Sequence, residues 1–273
     1  MDKIKLVMVD LDETILFSNT EISKATSQTI QRLLDNNIEV VIATGRYFQS
    51  IPRIFIDNKR IKYIVSSNGA LITNNQTNAI IYNKDLDYKT VLSIIEKADN
   101  KDRHMFISTT KGVFIDENLL NDKLVDSNEF FKLLKSHAVV VKDMYSYIKE
   151  NKQAVKKIEI AFNDLKFRDD LYTYLQTLKD VTIVSSHHTN IEATNQNVSK
   201  GLALEFLIDQ LNLNKDETLA IGDNDNDLSM IQMAGIGIAM KNSSPLLLEN
   251  ADLITASIDD DGFTKAIERI FNF

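Results

Sequence analysis

Two aspartates stand one residue apart at the end of a short apolar run, in Val7-Met8-Val9-Asp10-Leu11-Asp12-Glu13-Thr14. A second acidic group, Gly222-Asp223-Asn224-Asp225-Asn226-Asp227, follows another apolar run about two hundred residues later. If both runs are parallel strands of one sheet, their carboxylates meet at its carboxyl edge, where open α/β sheets bind ligands. Carboxylates crowded within ~4 Å repel by roughly 4 kcal/mol per pair at an effective dielectric of 20, and a divalent cation relieves this. With only oxygen donors on offer, Mg²⁺ is the cation expected, held by Asp10, Asp12 and Asp223.

A carboxylate pair beside such a cation suits phosphoryl transfer. Asp10, ionised, can attack phosphorus in line and form an aspartyl-phosphate. Asp12 can protonate the leaving alkoxide and later deprotonate the attacking water, provided its pKa is raised. Phosphate esters need accelerations of up to ~10²¹-fold, so charge stabilisation must add to acid catalysis. Thr44 offers its hydroxyl, and Gly45 its amide, at the end of the run Glu39 to Ala43, and Lys200 opens a helix in Asn197-Val198-Ser199-Lys200-Gly201. Taken singly these are ordinary turns, caps and surface lysines. Their order, each at a strand end or helix start, is what points to a site. Asp223 to Asp227 is no EF-hand loop, since Leu228 and Ala234 stand where its glycine and glutamate would be.

The elements that must position these residues alternate at both ends of the chain. Ile4 to Val9 reads as a strand, helical spacing follows to Asn36-Asn37, and Glu39 to Ala43 and Tyr63 to Ser66 are further strands. After Lys200 come a helix, a strand Thr218 to Ile221, a helix, a strand Ile236 to Ala239 and a last helix. This predicts an α/β fold with a doubly wound parallel sheet. Ala70 to Ile72 and Ile80 to Tyr82 read as a hairpin. The middle carries a different pattern of helices and short strands. It predicts an inserted α+β domain over 84–188, with the core built from 1–83 and 189–273, and two connections that could act as a hinge.

Composition narrows the partners. A net charge of −8 and a pI near 5.1 argue against nucleic acid. There are no cysteines, hence no disulfide or thiolate chemistry. Neither a membrane span nor a secretory leader is evident, so a cytoplasmic protein is expected. Given the negative charge, any phosphate the chain binds must be met locally, and no protein partner is implied.

The motifs Asp10-Leu11-Asp12-Glu13-Thr14, Ala43-Thr44-Gly45-Arg46, Ser67-Asn68-Gly69-Ala70, Ser199-Lys200-Gly201 and Gly222 to Asp227 together resemble those of the haloacid dehalogenase-like superfamily, and more narrowly its Cof-type phosphatases. The resemblance covers essentially the whole chain. It implies a large α/β cap inserted after the third strand, Mg²⁺ dependence, and hydrolysis of sugar phosphates or nucleotide and cofactor phosphates. It further implies Asp10 as nucleophile, Asp12 as acid/base with its main-chain carbonyl on the metal, and Asp223 as metal ligand. Thr44, Gly45, Lys200 and Asn226 would hold the phosphate, with Asp227 as partner of Lys200. Relatives mostly carry glycine where this chain has Glu13, whose side chain must point away from the phosphate or perturb Asp12. Arg46 is assigned equally to the substrate or to bracing, and His187 and His188 to the hinge or the substrate. A phosphomutase sharing the aspartyl-phosphate, a receiver-like module, and a catalytically weak binding protein stay open as alternatives.

Overall fold

The apolar run that leads to Asp10 is strand β1 (Leu6–Val9), with every residue buried. The structure, a computed structural model, describes residues 3–18, 20–99, 103–117, 137–185 and 189–271. Helix α1 (Lys24–Asp35) follows; the Ser23 side chain caps it by accepting from the Thr26 amide, and Ile30, Leu33 and Leu34 form its buried stripe. It stops at Asn36 and Asn37, the latter left-handed with φ 58°. Strand β2 (Glu39–Ala43) then runs parallel to β1. Pro52, which lacks an amide proton, precedes the short α2 (Arg53–Ile56), and β3 (Tyr63–Ser66) joins β2 in parallel. Strands β4 (Leu71–Asn74), antiparallel to β3, and β5 (Ala79–Asn83) are neighbours in the sheet, joined by residues 75–78.

The chain then enters a second body. In order it forms α3 (Tyr88–Lys97), β6 (Arg103–Thr109), β7 (Gly112–Asp116), β8 (Val139–Val141), α4 (Met144–Asn151), β9 (Val155–Phe162), α5 (Leu165–Leu175), β10 (Val181–Val184) and β11 (Asn190–Asn195). It returns through α6 (Lys200–Gln210), β12 (Thr218–Gly222), α7 (Leu228–Met233), β13 (Ile236–Ala239), α8 (Pro245–Asn250), β14 (Leu253–Ile254) and α9 (Gly262–Phe271).

The first compact unit holds residues 1–45, 51–82 and 199–273 and is built on a sheet of order β14-β13-β12-β1-β2-β3-β4-β5. From β14 to β3 all pairs are parallel. Strand alternation sends Leu6, Met8, Val41 and Ala43 into one core with Leu204 and Leu207 of α6 and Met230 and Ile231 of α7. Val7, Val9, Val40 and Ile42, also buried, face the other side, where α1 and α9 pack on each other through Thr29 and Thr264. Helices on both faces make the sheet doubly wound, as expected. Among the described residues no helix is long and apolar enough to cross a membrane.

The second unit holds residues 46–50 and 83–198 around a sheet of order β10-β11-β9-β6-β7-β8. On one face Met105, Ile107, Ile158, Ile160, Ile191 and Ala193 pack under α3, α4 and α5 through Val91, Ile94, Ile148, Leu171 and Leu175. On the other face Lys157 lies 2.9 Å from both Glu159 and Glu192. Tyr47 packs there with Phe106, Val113 and Ile115.

The units differ from the sequence reading by one residue at Asn83, which falls in the second unit, and by two longer segments. Residues 189–198, expected in the core, carry β11, which pairs antiparallel with β9 and β10 and so belongs to the second sheet. Asn190-Ile-Glu-Ala-Thr-Asn195 has only two apolar residues, both on one face, and so reads weakly as a strand. Residues 46–50, also expected in the core, belong to the second unit. Phe106 is core as anticipated and Tyr145 packs against the core; Phe130 and Phe131 lie outside the described residues.

Candidate active site

Parallel register brings the sequence motifs to one edge. Val9 pairs with Ile42 on one side and Ile221 on the other, so Asp10, Thr44 and Asp223 emerge at the ends of three adjacent strands. Backbone bonds fix each exit: Asp10 N to Ile221 O at 3.0 Å, Thr44 N to Val65 O at 3.0 Å, and Met240 N to Gly222 O at 3.0 Å. Asp10, Thr44, Lys200, Asp223 and Asp227 are all buried, whereas Asp12 is exposed and bridged to Leu16.

Lys200 is wholly buried, and its Nζ lies 2.5 Å from both Asp10 Oδ1 and Asp227 Oδ1. A cation in a helix's first turn opposes the dipole, so these carboxylates must supply its stabilisation. Ser199 caps the same helix by accepting from the Leu202 amide at 3.1 Å. Gly201 brings α6 against α7: its amide donates to Ser229 Oγ at 3.0 Å, and a Cβ there would overlap the Ser229 carbonyl. Gly69, left-handed at φ 103°, likewise lets its turn lie on the Ser199 carbonyl, which a Cβ would meet.

The Asp223 loop is closed by Asp227, whose Oδ2 accepts from the amides of Asp223 and Asn224, each at 3.0 Å. Asp223 Oδ1 accepts from Thr14 Oγ1 at 2.6 Å, and the Asp223 carbonyl accepts from the Ser244 amide at 2.9 Å. Asn226 Nδ2 donates to Asn68 Oδ1 at 3.1 Å, with Asn68 left-handed at φ 58°.

Burial and crowding shape the electrostatics of this edge. Burial, then Asp227, raise the Asp10 pKa well above the usual carboxylate value, with Lys200 opposing. Asp223 is pushed up to about 8, chiefly by burial and then by Asp227, against the Thr14 hydrogen bond and Lys200. For Lys200, burial disfavours the charge, yet Asp10 and Asp227 hold its pKa above the ordinary lysine value.

Oxygens of Asp10, Asp223 and Asp227 lie within 4.8 Å of one another, a donor set that fits a hard divalent cation. Asp227 has both oxygens engaged, by Lys200 and by two amides, whereas Lys200 and Thr14 engage Oδ1 of Asp10 and of Asp223, so these two are the carboxylates that could face a cation.

A family profile described as haloacid dehalogenase-like hydrolase matches residues 7–267. The chain belongs to that family. Phosphatase YwpJ of Bacillus subtilis is 28% identical over 97% of this chain and 99% of its own. The 5-amino-6-(5-phospho-D-ribitylamino)uracil phosphatase YcsE of the same organism is 26% identical over 97% of this hydrolase and 94% of its own length. A solved haloacid dehalogenase-like hydrolase from Bacteroides thetaiotaomicron superposes with a TM-score of 0.83 at 29% identity, covering 98% of this chain and 100% of the other. The hydrolase is of the Cof type, and phosphatase relatives along its whole length make it an enzyme of the phosphoric monoester hydrolase class.

Beyond the residues read from sequence, the structure brings Thr14 and Asn68 to the site. Thr14 lies within the first acidic motif, where its polarity beside the aspartates is the available signal, and Asn68 lies within Ser67-Asn68-Gly69-Ala70, a motif to which the sequence reading attaches no site role. Arg46 Nη1 donates to Ser50 O at 3.1 Å within its own loop, a bracing contact. His187 and His188 lie outside the described residues.

Proposed function

We propose that this hydrolase is a Mg²⁺-dependent phosphatase of small phosphorylated metabolites, working through an aspartyl-phosphate on Asp10. The observation that carries the reading is the buried Lys200 ammonium set between Asp10 and Asp227 at the strand edge shared with Thr44 and Asp223. Asp10 and Asp223, with the Asp12 main-chain carbonyl, would hold the cation. When bound, the cation offsets negative charge on the phosphoryl oxygens and keeps Asp10 ionised.

Asp10 attacks phosphorus in line and the ester P–O bond breaks, while the Asp12 carboxyl protonates the departing alkoxide. In the second half Asp12 takes a proton from water as the water oxygen attacks phosphorus, and the acyl-phosphate P–O bond to Asp10 breaks. Thr44 and Gly45 orient phosphoryl oxygens and Lys200 stabilises their charge, with Asn226 aligned by Asn68. Asp227 acts through Lys200 and the loop amides rather than on the substrate.

The substrate class is small phosphomonoesters such as sugar or cofactor phosphates, read by the inserted cap, residues 84–188 with the adjoining 189–198. Two relatives are named as ribitylaminouracil phosphatases, so ribityl phosphates belong in the first panel. The test is phosphate release over sugar, nucleotide, flavin and pyridoxal phosphates, with and without Mg²⁺. Release that needs Mg²⁺ and disappears in Asp10→Asn supports the reading. A fully active Asp10→Asn enzyme refutes it.

A further inference from the structure

Three successive residues after β3 take left-handed backbone conformations: Ser67 at φ 51°, Asn68 at φ 58° and Gly69 at φ 103°. Two of them carry side chains, and an L-residue is disfavoured in this region. All three are buried. A strained, buried turn persists only where its surroundings hold it.

Those surroundings are the three stretches of chain to which phosphate binding is assigned above. The Asn68 amide donates to Thr44 O at 3.1 Å, just past β2. Gly69 lies on the Ser199 carbonyl at the start of α6, where a Cβ would stand 2.3 Å from that oxygen. The Asn68 side chain accepts from Asn226 Nδ2 at 3.1 Å, in the loop after β12. Asn226 precedes Asp227, whose Oδ1 is 2.5 Å from Lys200 Nζ, so the turn links Thr44, the Lys200 helix and the Asn226 loop. All of these residues lie in the first compact unit.

Asn68 decides which end of the Asn226 carboxamide can serve a phosphate. A carboxamide offers two protons on nitrogen and lone pairs on oxygen. With one Nδ2 proton held by Asn68, the nitrogen keeps its place and has a second proton to give. Released, the amide can turn and present its oxygen to an anion, which repels it. Among the described residues no other hydrogen bond fixes the Asn226 side chain.

We infer that Asn68 is a positioning residue of the phosphate site, fixing the Asn226 carboxamide with its nitrogen toward a phosphoryl oxygen from a turn that also holds Thr44 and the start of α6. The inference rests on the proposed phosphatase reading, with Asn226 as a phosphate ligand. Asparagine suits the place on two counts: it tolerates the left-handed backbone, and its carbonyl oxygen reaches Asn226. Glycine would meet the first demand only. Asn68 acts through Asn226 and does not itself touch the substrate.

Phosphate release from p-nitrophenyl phosphate by the full chain in saturating Mg²⁺, and its inhibition by inorganic phosphate, test this in wild type, Asn68→Gly, Asn226→Ala and the double variant. Asn68→Gly should melt near wild type yet lose about ten- to hundredfold in kcat/KM, the scale set by misplacing a group by ~1 Å. Inorganic phosphate should inhibit it several-fold more weakly. Adding Asn68→Gly to Asn226→Ala should cost no more than about twofold, since residues that act as one unit are not additive. Asn68→Ser, whose hydroxyl is a bond shorter than the amide, should match Asn68→Gly and carries the cycle if the glycine variant fails to fold. Wild-type kinetics in Asn226→Ala or in either Asn68 variant overturns this inference alone. Losses that multiply in the double variant also overturn it, because Asn68 would then act by another route. A wild-type protein that releases no phosphate from p-nitrophenyl phosphate or the metabolite panel overturns the proposed function and this inference with it.

Discussion

Lys200 is the residue on which the buried charges turn. Its side chain is 0% exposed and serves Asp10 and Asp227 together. Replacing it with methionine leaves these carboxylates buried without their cation, and losing one partner of a buried pair costs about 3–5 kcal/mol. Lys200→Met should therefore unfold well below wild type in a thermal melt, as well as lose turnover. Asp10→Asn keeps Lys200 paired to Asp227 and should melt near wild type while losing at least about 10³-fold in phosphate release. Glu13→Gly relieves a left-handed residue, at φ 58°, worth ~1–2 kcal/mol but adds backbone freedom worth ~0.5–1 kcal/mol to the unfolded chain. A gain of about 0.5 kcal/mol in denaturant unfolding is the expected outcome for the cation-free protein. Asp10, Thr44, Lys200 and Asp223 were legible because each ends a strand or begins a helix. Thr14 and Asn68 were not, since their partners Asp223 and Asn226 lie far along the chain and meet them only after folding.

At the scale of elements, the site depends on how closely α6 approaches α7. Gly201 permits it, and a methyl group there must push backbone against backbone at Ser229. Gly201→Ala should cost about 1–3 kcal/mol through overpacking and displace Lys200, so both the melting temperature and kcat should fall. A variant with wild-type stability and rate would show that this approach is not required. The parallel core was readable because its strands, buried on both faces, are nearly continuous apolar runs. Strand β11 was not, because Asn190, Glu192 and Thr194 on its second face are polar although buried, with Glu192 serving the Lys157 ion pair on the face opposite the helices. The alternation marks half of a strand, and the partner strand supplies the rest of the information.

For the whole molecule, the buried carboxylates link stability to pH and to cation. Burial, then Asp227, pushes Asp223 up to about 8 from an ordinary 3.8, and burial, then Asp227, shifts Asp10 the same way. Between those values the folded state binds more protons than the unfolded chain, so stability must fall as pH rises from about 4 to about 8. Saturating Mg²⁺ competes with the protons and should remove this decline. Melting temperatures in chelator and in Mg²⁺ across that range give the test; parallel curves would contradict the linkage.

The pentapeptide Arg46–Ser50 has a consequence for modularity. Because it folds with the second unit while its neighbours fold with the first, the chain passes from one unit to the other after Gly45, after Ser50, after Tyr82 and after Val198. The second unit is therefore not a cassette bounded by a single pair of joints. Transplanting residues 83–198 between relatives would leave the recipient's own residue 47 to meet a foreign Phe106, Val113 and Ile115. Chimaeras that carry 46–50 along with the insert should express and melt cooperatively, and those that omit it should not.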